Sequence, residues 1–443
     1  MVDQHQAKRP GDLNPVFNNG KVTLDHTGAD GYLVWLELTA QGNILVLSRR
    51  SGVQQGYYLS RFTPQGTLDT SFGATKGFFL FEDPVFPDRD QFHQLDDGSF
   101  LVTGGGHADQ LSITRFHAHG ALDTAYGVGG HAIVRVSDLN IEGRKDPRIL
   151  VSSPDLGLTT DQQKRLPPKS ATVYSAADSL GAYLVFTATW GDFEQLNAVV
   201  VRIDGSGELD RAFNKTGYVV ETLAGSGITY NVARQAVLQT RGQQSELVIL
   251  VQEALKIVDP LEGNYFMLRY DVTGQRHFDF GGCGNDQGLA RIDWQDFFIV
   301  YSLWAGEDGA LKVIGSTFDD ENFIGAVRGY TDQGKQDLSF YGGQLLLTEI
   351  EPGYGNWHRG IFYTEKGETR MVLSGPIPSR RLIGIARLLG DGQFDKNFGE
   401  DGKAAFDRSA GPTTTSHIQL LSDKDIILGD RNDIWWLKGG EPQ

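Results

Sequence analysis

Two acidic pairs are the residues of this chain best placed to do chemistry: Asp319 with Asp320, and Asp192 with Glu194. Glycoside cleavage needs two carboxyl groups at a defined separation, one to donate a proton and one to act as base or nucleophile. Neighbouring carboxylates in a loop can also be merely solvated, and spacing along the chain does not fix their distance in space. Around them stand aromatic and basic residues: Trp190, Phe193, Trp294, Tyr354, Trp357, His358 and Arg380. Rings flanked by carboxylates suit sugars, and rings beside arginine suit protein hot spots. A blander role competes with both. In a chain with 11% aromatic residues, such rings can simply cap the ends of sheets.

Other chemistries find less support. The ten histidines show no metal-ligand spacing, so no metal site is expected. The single cysteine, Cys283, sits among glycines with no base nearby and reads as an inert turn thiol. Gly104, Gly105 and Gly106 open no helix and precede no lysine, so they make no phosphate loop. No catalytic triad can be named, and no cofactor is implied.

The elements that must hold these residues are announced by a repeat. A glycine is followed two residues later usually by leucine, then usually by aspartate, and six residues after the glycine by an aromatic. Clear copies are Gly66, Leu68, Asp69, Phe72 and Gly120, Leu122, Asp123, Tyr126; others start at Gly11, Gly207 and Gly392. Two copies are degenerate. Gly274 keeps Phe280 but carries Arg276 and His277, and Gly334 keeps Asp337 and Phe340 behind Lys335 and Gln336. The seven starts lie 55, 54, 87, 67, 60 and 58 residues apart. Repetition at this period marks a unit that buries its apolar face only against copies of itself.

Each period holds four short apolar runs rich in β-branched and aromatic residues. In one they cover 32–38, 43–48, 57–62 and 77–81. Tight polar turns such as Gln41-Gly42-Asn43 join the first two runs into hairpins. The repeated pattern joins the third run to the fourth. There the aspartate is expected to bond turn amides and the aromatic to fill the gap beside the sheet.

Seven units of four antiparallel strands predict an all-β, seven-bladed β-propeller, in one domain over residues 1–443. The chain ends favour a closed ring over an open solenoid. The N-terminal segment supplies only a repeat and a fourth strand, and the last strand, 434–438, is a third. Pairing residues 21–24 with that strand completes one blade. The 87-residue spacing marks an insertion over 137–170, with one helix-like stretch at 159–166, expected to be a flap or a neutral rim loop.

The pattern resembles the bacterial delta-60 repeat, most clearly from Arg61-Phe62 to Gly73 and from Arg115-Phe116 to Gly127. The resemblance covers essentially the whole chain and implies a β-propeller of uncharacterised function. It carries no catalytic residues. The two degenerate copies are expected to loosen their turns without changing the blade count.

Composition bounds the partners. A net charge of −16 argues against nucleic acid and anionic membranes, whose affinity needs clustered Lys and Arg. No apolar run is long enough to span a bilayer as a helix, and the N-terminus shows no signal-peptide pattern. The chain as written therefore reads as cytoplasmic, unless exported by a signal-independent route, and as a monomer. Functional diversity is expected on the face carrying the blade-to-blade loops and the loops between runs two and three, because those differ in every copy. The leading expectation is a non-catalytic recognition scaffold for a protein or a glycan. Its alternatives are a carbohydrate-active enzyme using loop carboxylates and a structural module of a larger assembly.

Overall fold

A computed structural model describes residues 9–24, 32–50, 56–73, 76–81, 91–105, 109–139, 147–149, 173–190, 196–221, 223, 230–241, 244–254, 264–282, 288–292, 298–319, 322–352, 354–377, 381–408 and 416–439. Their strands form seven separate antiparallel sheets. Blade 2 shows the plan: Tyr32–Leu38, Ile44–Arg50, Gly56–Phe62 and Phe78–Phe81 pair in chain order. Blades 3 to 7 repeat it, blade 4 with one strand added, and the strands that open the repeat in each are Gln91–Gln94, Val173–Asp178, Tyr230–Arg241, Phe298–Ala305 and Arg359–Glu365. Blade 1 takes three strands from the C-terminal segment, His417–Leu420, Ile426–Asp430 and Asp433–Leu437. Its fourth, Lys21–Thr23, comes from the N-terminal one. The expected closure is present, with Lys21 opposite Trp435, Val22 opposite Ile434 and Thr23 opposite Asp433. Each first strand contacts the first strands of both neighbouring blades, so the seven close a circle around the axis.

The repeat proves to be a clasp between blades as well as a turn within one. The aspartates bond their turn amides as expected, for example Ser71 N to Asp69 at 3.0 Å and Asn397 N to Asp395 at 3.1 Å. The aromatics Phe17, Phe72, Tyr126, Phe213, Phe280, Phe340 and Phe398 are all buried. At five of the junctions the next repeat's glycine lies on that ring. A Cβ on Gly120 would come within 2.6 Å of Phe72, and one on Gly66 within 2.9 Å of Phe17. That contact, with φ near +89° at Gly120, is why the position is glycine. At six of the junctions the amide after the aromatic then donates to the carbonyl before the next glycine. Gly73 bonds His119, Gly127 bonds Ser206, Asn214 bonds Thr273 and Gly281 bonds Gln333. Gly399 bonds Pro10 and Asn18 bonds Gln65, so the N-terminal copy is a full link of this belt.

A cation backs the clasp of blades 2 to 7, buried at Arg202, Arg269, Lys312 and Arg387 and part-buried at Arg61 and Arg115. Arg61 pairs with Asp69 at 2.7 Å and lies over Phe72; Arg387 pairs with Asp395 at 2.9 Å and lies over Phe398. The degenerate copies depart from the expectation of loosened turns, because their charges are rewired. In blade 6, Gly329 stands where other blades have arginine. Its cross-strand partner Lys312 supplies the cation instead, 3.2 Å from Asp337 and over Phe340. In blade 5, His277 replaces the aspartate, and Glu246 from the second strand supplies a carboxylate to Arg269 at 3.2 Å. The turn backbone is retained in both, with His277 N bonding Arg269 O and Asp337 N bonding Gly329 O.

Blade 4 departs from the four-strand plan. Its second strand, Gly181–Trp190, is ten residues long, and the first strand covers only its part from Gly181 to Phe186. A three-strand-residue piece of the insertion, Pro147–Ile149, pairs with Ala188, Thr189 and Trp190 and covers the rest of that edge. Ile149 is buried among residues of blades 3 and 4. The helix-like stretch at 159–166 lies outside the described residues.

Candidate functional site

The ring has two faces. Turns between first and second strands share one with the clasps, since Arg115 reaches both Asp97 and Asp123 and Arg202 both Asp178 and Asp210. That repeat face is consumed by scaffold bonding. The loop face carries the other connections, and there blades 6, 7 and 1 bring several aromatic and charged side chains together.

Of the residues expected to form a site, three are fully described. Tyr354, on the connection from blade 6 to blade 7, is part-exposed; its hydroxyl bonds Asn356 and lies in the field of Arg408. His358 is buried, with its ring 4.3 Å from that of Tyr301. Trp357 corrects the expectation. It is 0% exposed, donates its Nε1–H to Thr348 Oγ1 at 2.7 Å, and fills the space left by Gly325, so it is a core residue of the blade 6–7 contact. Trp190 ends the second strand of blade 4 opposite Pro147, and Asp319 ends that of blade 6 opposite Asn322. Asp192, Phe193, Trp294, Asp320 and Arg380 lie outside the described residues.

The seam between blades 7 and 1 holds residues that spacing did not reveal. Arg408, just beyond the fourth strand of blade 7, crosses to blade 1 and forks onto Asp430, its Nη2 2.9 Å from Oδ1. Both side chains are buried, at 3% and 0% exposure. The Arg408 amide bonds the carbonyl of Arg381, and Arg431 directly follows Asp430. Asp430, at the end of the second strand of blade 1, is buried as the counter-ion of this seam. Burial lowers the Arg431 pKa first, and the charges of Arg408 and Arg381 lower it further against the pull of Asp430.

Nearer the axis, the Arg359 guanidinium lies 5.4 Å from the Trp35 ring, although their blades are not neighbours. Trp35 meets His417 of the intervening blade edge-on at 4.9 Å and donates to Glu37 at 3.4 Å. Burial pushes the Glu37 carboxyl up to about 7, opposed by its bonds from Trp35 and Leu38. Burial pushes His93 and His417 down to about 4 and about 3, with Arg359 adding to the second shift. A Glu37 pKa above its unfolded value means the native state holds the extra proton between pH 4.5 and 7. That contribution is complete below the lower value and is lost as the pH rises through the upper one. Glu37→Gln should therefore raise stability above pH 7 by about 1–2 kcal/mol, a figure discounted because the residue is part-buried and not enclosed. The gain should vanish toward pH 4.5. Thermal melts of both proteins across that range check this; a pH-independent difference would contradict it.

Among the described residues, no group of three His, Cys, Asp or Glu is gathered as a metal would need. No described helix is long and apolar enough to cross a membrane. A cleft of about 490 Å³ lies beside Asn18, Lys21, Thr23, Phe62 and Gly66, all of them closing-strand or neighbouring scaffold residues.

No family model matches the chain, and no curated protein matches it. Among solved structures, it is similar to extracellular domains 1–2 of Drosophila Semaphorin 1a at 9% identity, covering 93% of this chain and 87% of that one, with a TM-score of 0.47. A polysaccharide lyase, an ulvanlyase bound to -[GlcA(1-4)Rha3S]-, is similar at 11% identity over 98% of this chain and 94% of that one, with a TM-score of 0.45. The Dos1 propeller is similar at 8% identity over 96% and 95%, with a TM-score of 0.46. The fold assignment stands on the strand pairing itself.

Proposed function

We propose that this chain is a recognition scaffold that binds a protein or a glycan through its loop face. The observation that carries the reading is the division of labour between the faces. The recurring residues of the repeat face are engaged in the clasp belt. Tyr354, Arg381, Arg408 and Arg431 instead stand on connections that the repeat does not specify, over one sector of a rigid ring. A carbohydrate-active enzyme is the second reading, favoured by Glu37, because a carboxyl that titrates near neutrality is suited to act as a general acid.

An unbiased pull-down and a glycan array with the intact protein test the proposal. A ligand so found should lose at least tenfold in affinity when Trp190, Trp294 and Tyr354 are replaced by Ala, about 1.4 kcal/mol or more. Gln65→Ala, at an exposed position on the repeat face, should leave it unchanged. The opposite pattern would place the binding surface on the repeat face.

A further inference from the structure

We propose that the axial mouth of the ring, on the loop-face side, holds the carboxylate of a small organic acid through Arg234. The site lies beyond the recognition reading, at the axis and not on the outer loops. An irregularity recurs in the innermost strands. The first strands of blades 2, 5 and 6 each carry a β-bulge, which inserts Val34, Arg234 and Tyr301. The three bulges fall at one level. Each is followed by a residue that pairs, through the second strand, with the position two before the clasp arginine or its replacement Gly329. Those positions are Leu59, Met267 and Val327. Arg359, which lies over Trp35, stands at the same level in blade 7.

An inserted residue has no ladder partner, and its side chain is re-aimed out of the strand's alternation. Arg234 and Tyr301 accordingly stay part-exposed between buried neighbours, Ala233 with Gln235 and Val300 with Ser302. Both sit nearer the starts of their strands, which run from the loop face toward the repeat-face hairpins. On an innermost strand at that height the open side is the axial mouth. Gln235 Nε2 donates to Tyr301 O at 2.9 Å and ties the two bulges together.

Arg234 is held without being neutralised. Its Nε–H and one Nη2–H converge on a single neutral atom, Gln252 Oε1, with Nε at 2.8 Å. Gln252 is fully buried, so the guanidinium plane is set by a fixed partner. Among the described residues no carboxylate pairs with Arg234, whereas the clasp arginines and Arg408 each have one. The side-on edge of the guanidinium is used by Gln252. Its end-on edge, Nη1 with the outer hydrogen of Nη2, remains as a fork that donates to two oxygens in parallel. A carboxylate matches that fork in shape and in charge. A phosphate monoester, near −2, would keep a charge that this one cation does not offset.

The surroundings agree with a small acid. The chain carries −16, yet burial pushes Glu37 up to about 7 and keeps His417 neutral under the charge of Arg359, so the axis is not acidic. The Tyr301 ring, 4.3 Å from that of His358, offers a flat surface for the body of the acid. Arg359 of blade 7 reaches the Trp35 ring of blade 2 at 5.4 Å, so the mouth has the width of a small molecule and not of a folded partner.

Titration calorimetry on the full chain with galacturonate, phenylacetate, galactose, phenylacetamide and inorganic phosphate tests the assignment. At least one acid should bind with a Kd of about 1 mM or tighter, the strength of one charge-assisted fork. The two acids separate a sugar source from an aromatic one, and the neutral counterpart of the acid that binds should be weaker by about tenfold or more. Arg234→Gln should weaken that acid by about 10- to 100-fold. Arg234→Lys keeps the charge but not the fork, so it should recover only part of the loss. It can still donate to Gln252, and it keeps the test decisive if Arg234→Gln lowers the melting temperature. Arg211→Gln, at an exposed position on the repeat face, makes the same change in net charge and should bind as the wild type does. Binding of neither acid, equal binding of a neutral counterpart, tighter binding of phosphate, or undiminished binding by either Arg234 variant would each overturn the proposal.

Discussion

Deleting residues 1–24 should destabilise the ring by more than about 5 kcal/mol, exceeding the loss of any single core side chain. The segment carries Phe17, Val22 and Leu24, all buried in the core of blades 1 and 2, with Phe17 packed 5.3 Å from Trp436. It also covers one edge of Asp433–Leu437, which would otherwise present unpaired backbone groups. Asp433, fully buried, would lose Lys21 at 3.0 Å and Thr23 at 2.8 Å. The clasp belt would open twice, at Gly399 to Pro10 and at Asn18 to Gln65. Val16→Ser, at a 64% exposed position in the same segment, should by contrast leave the melting temperature nearly unchanged. Comparing thermal melts of the two variants with the wild type checks this. An unchanged melting temperature for the truncated chain would mean that the closing blade does not hold the ring.

The blade count and closure were legible because the clasp makes the same demand at each step. A glycine must admit the preceding ring, an aspartate must hold the turn, and an aromatic must plug the junction, so the same identities return. Compensation across a hairpin was not legible. Lys312 replaces the missing arginine at Gly329 only because the two are cross-strand partners, and register cannot be seen before strands are aligned. Glu246 serves Arg269 in blade 5 from the adjoining strand, two residues along from Arg269's cross-strand partner Val248, so His277 resembled a decayed copy rather than a rewired one.

The site was legible only as a face. Tyr354 drew notice because loop aromatics stand out, but the same signal drew Trp357, whose burial depends on Gly325 in another strand. Arg408 and Asp430 lie 22 residues apart on different blades and signal nothing along the chain. Trp35, Glu37 and His417 sit on first strands, which sequence patterning assigns to packing. Their meeting with Arg359 depends on the ring bringing separate blades to one axis. Recurrence thus reveals the scaffold, while function depends on contacts that occur once.

Phe72→Ala should cost about 3–5 kcal/mol, the range for a fully enclosed ring. The side chain is 0% exposed and sits in the core shared by blades 2 and 3 with Leu45, Phe92, Phe100 and Phe116. Three neighbours lose their seat together. The Arg61 guanidinium stacks 4.8 Å from the ring, Phe100 lies parallel at 6.3 Å, and the Gly120 backbone of the next clasp rests on it. Gly120 cannot follow the vacated space without breaking the bond from Gly73 N to His119 O, so the cavity should persist rather than collapse. Persistence puts the cost toward the upper end, because a cavity that cannot relax keeps its full penalty. Phe72→Leu should recover a large part by refilling the volume without restoring the stacked cation. Urea unfolding reads the difference as a lower midpoint at unchanged slope. If Phe72→Ala cost less than about 1 kcal/mol, the ring would not be a closed packing element. The repeat's aromatic would then have to be retained for contact with something outside the chain.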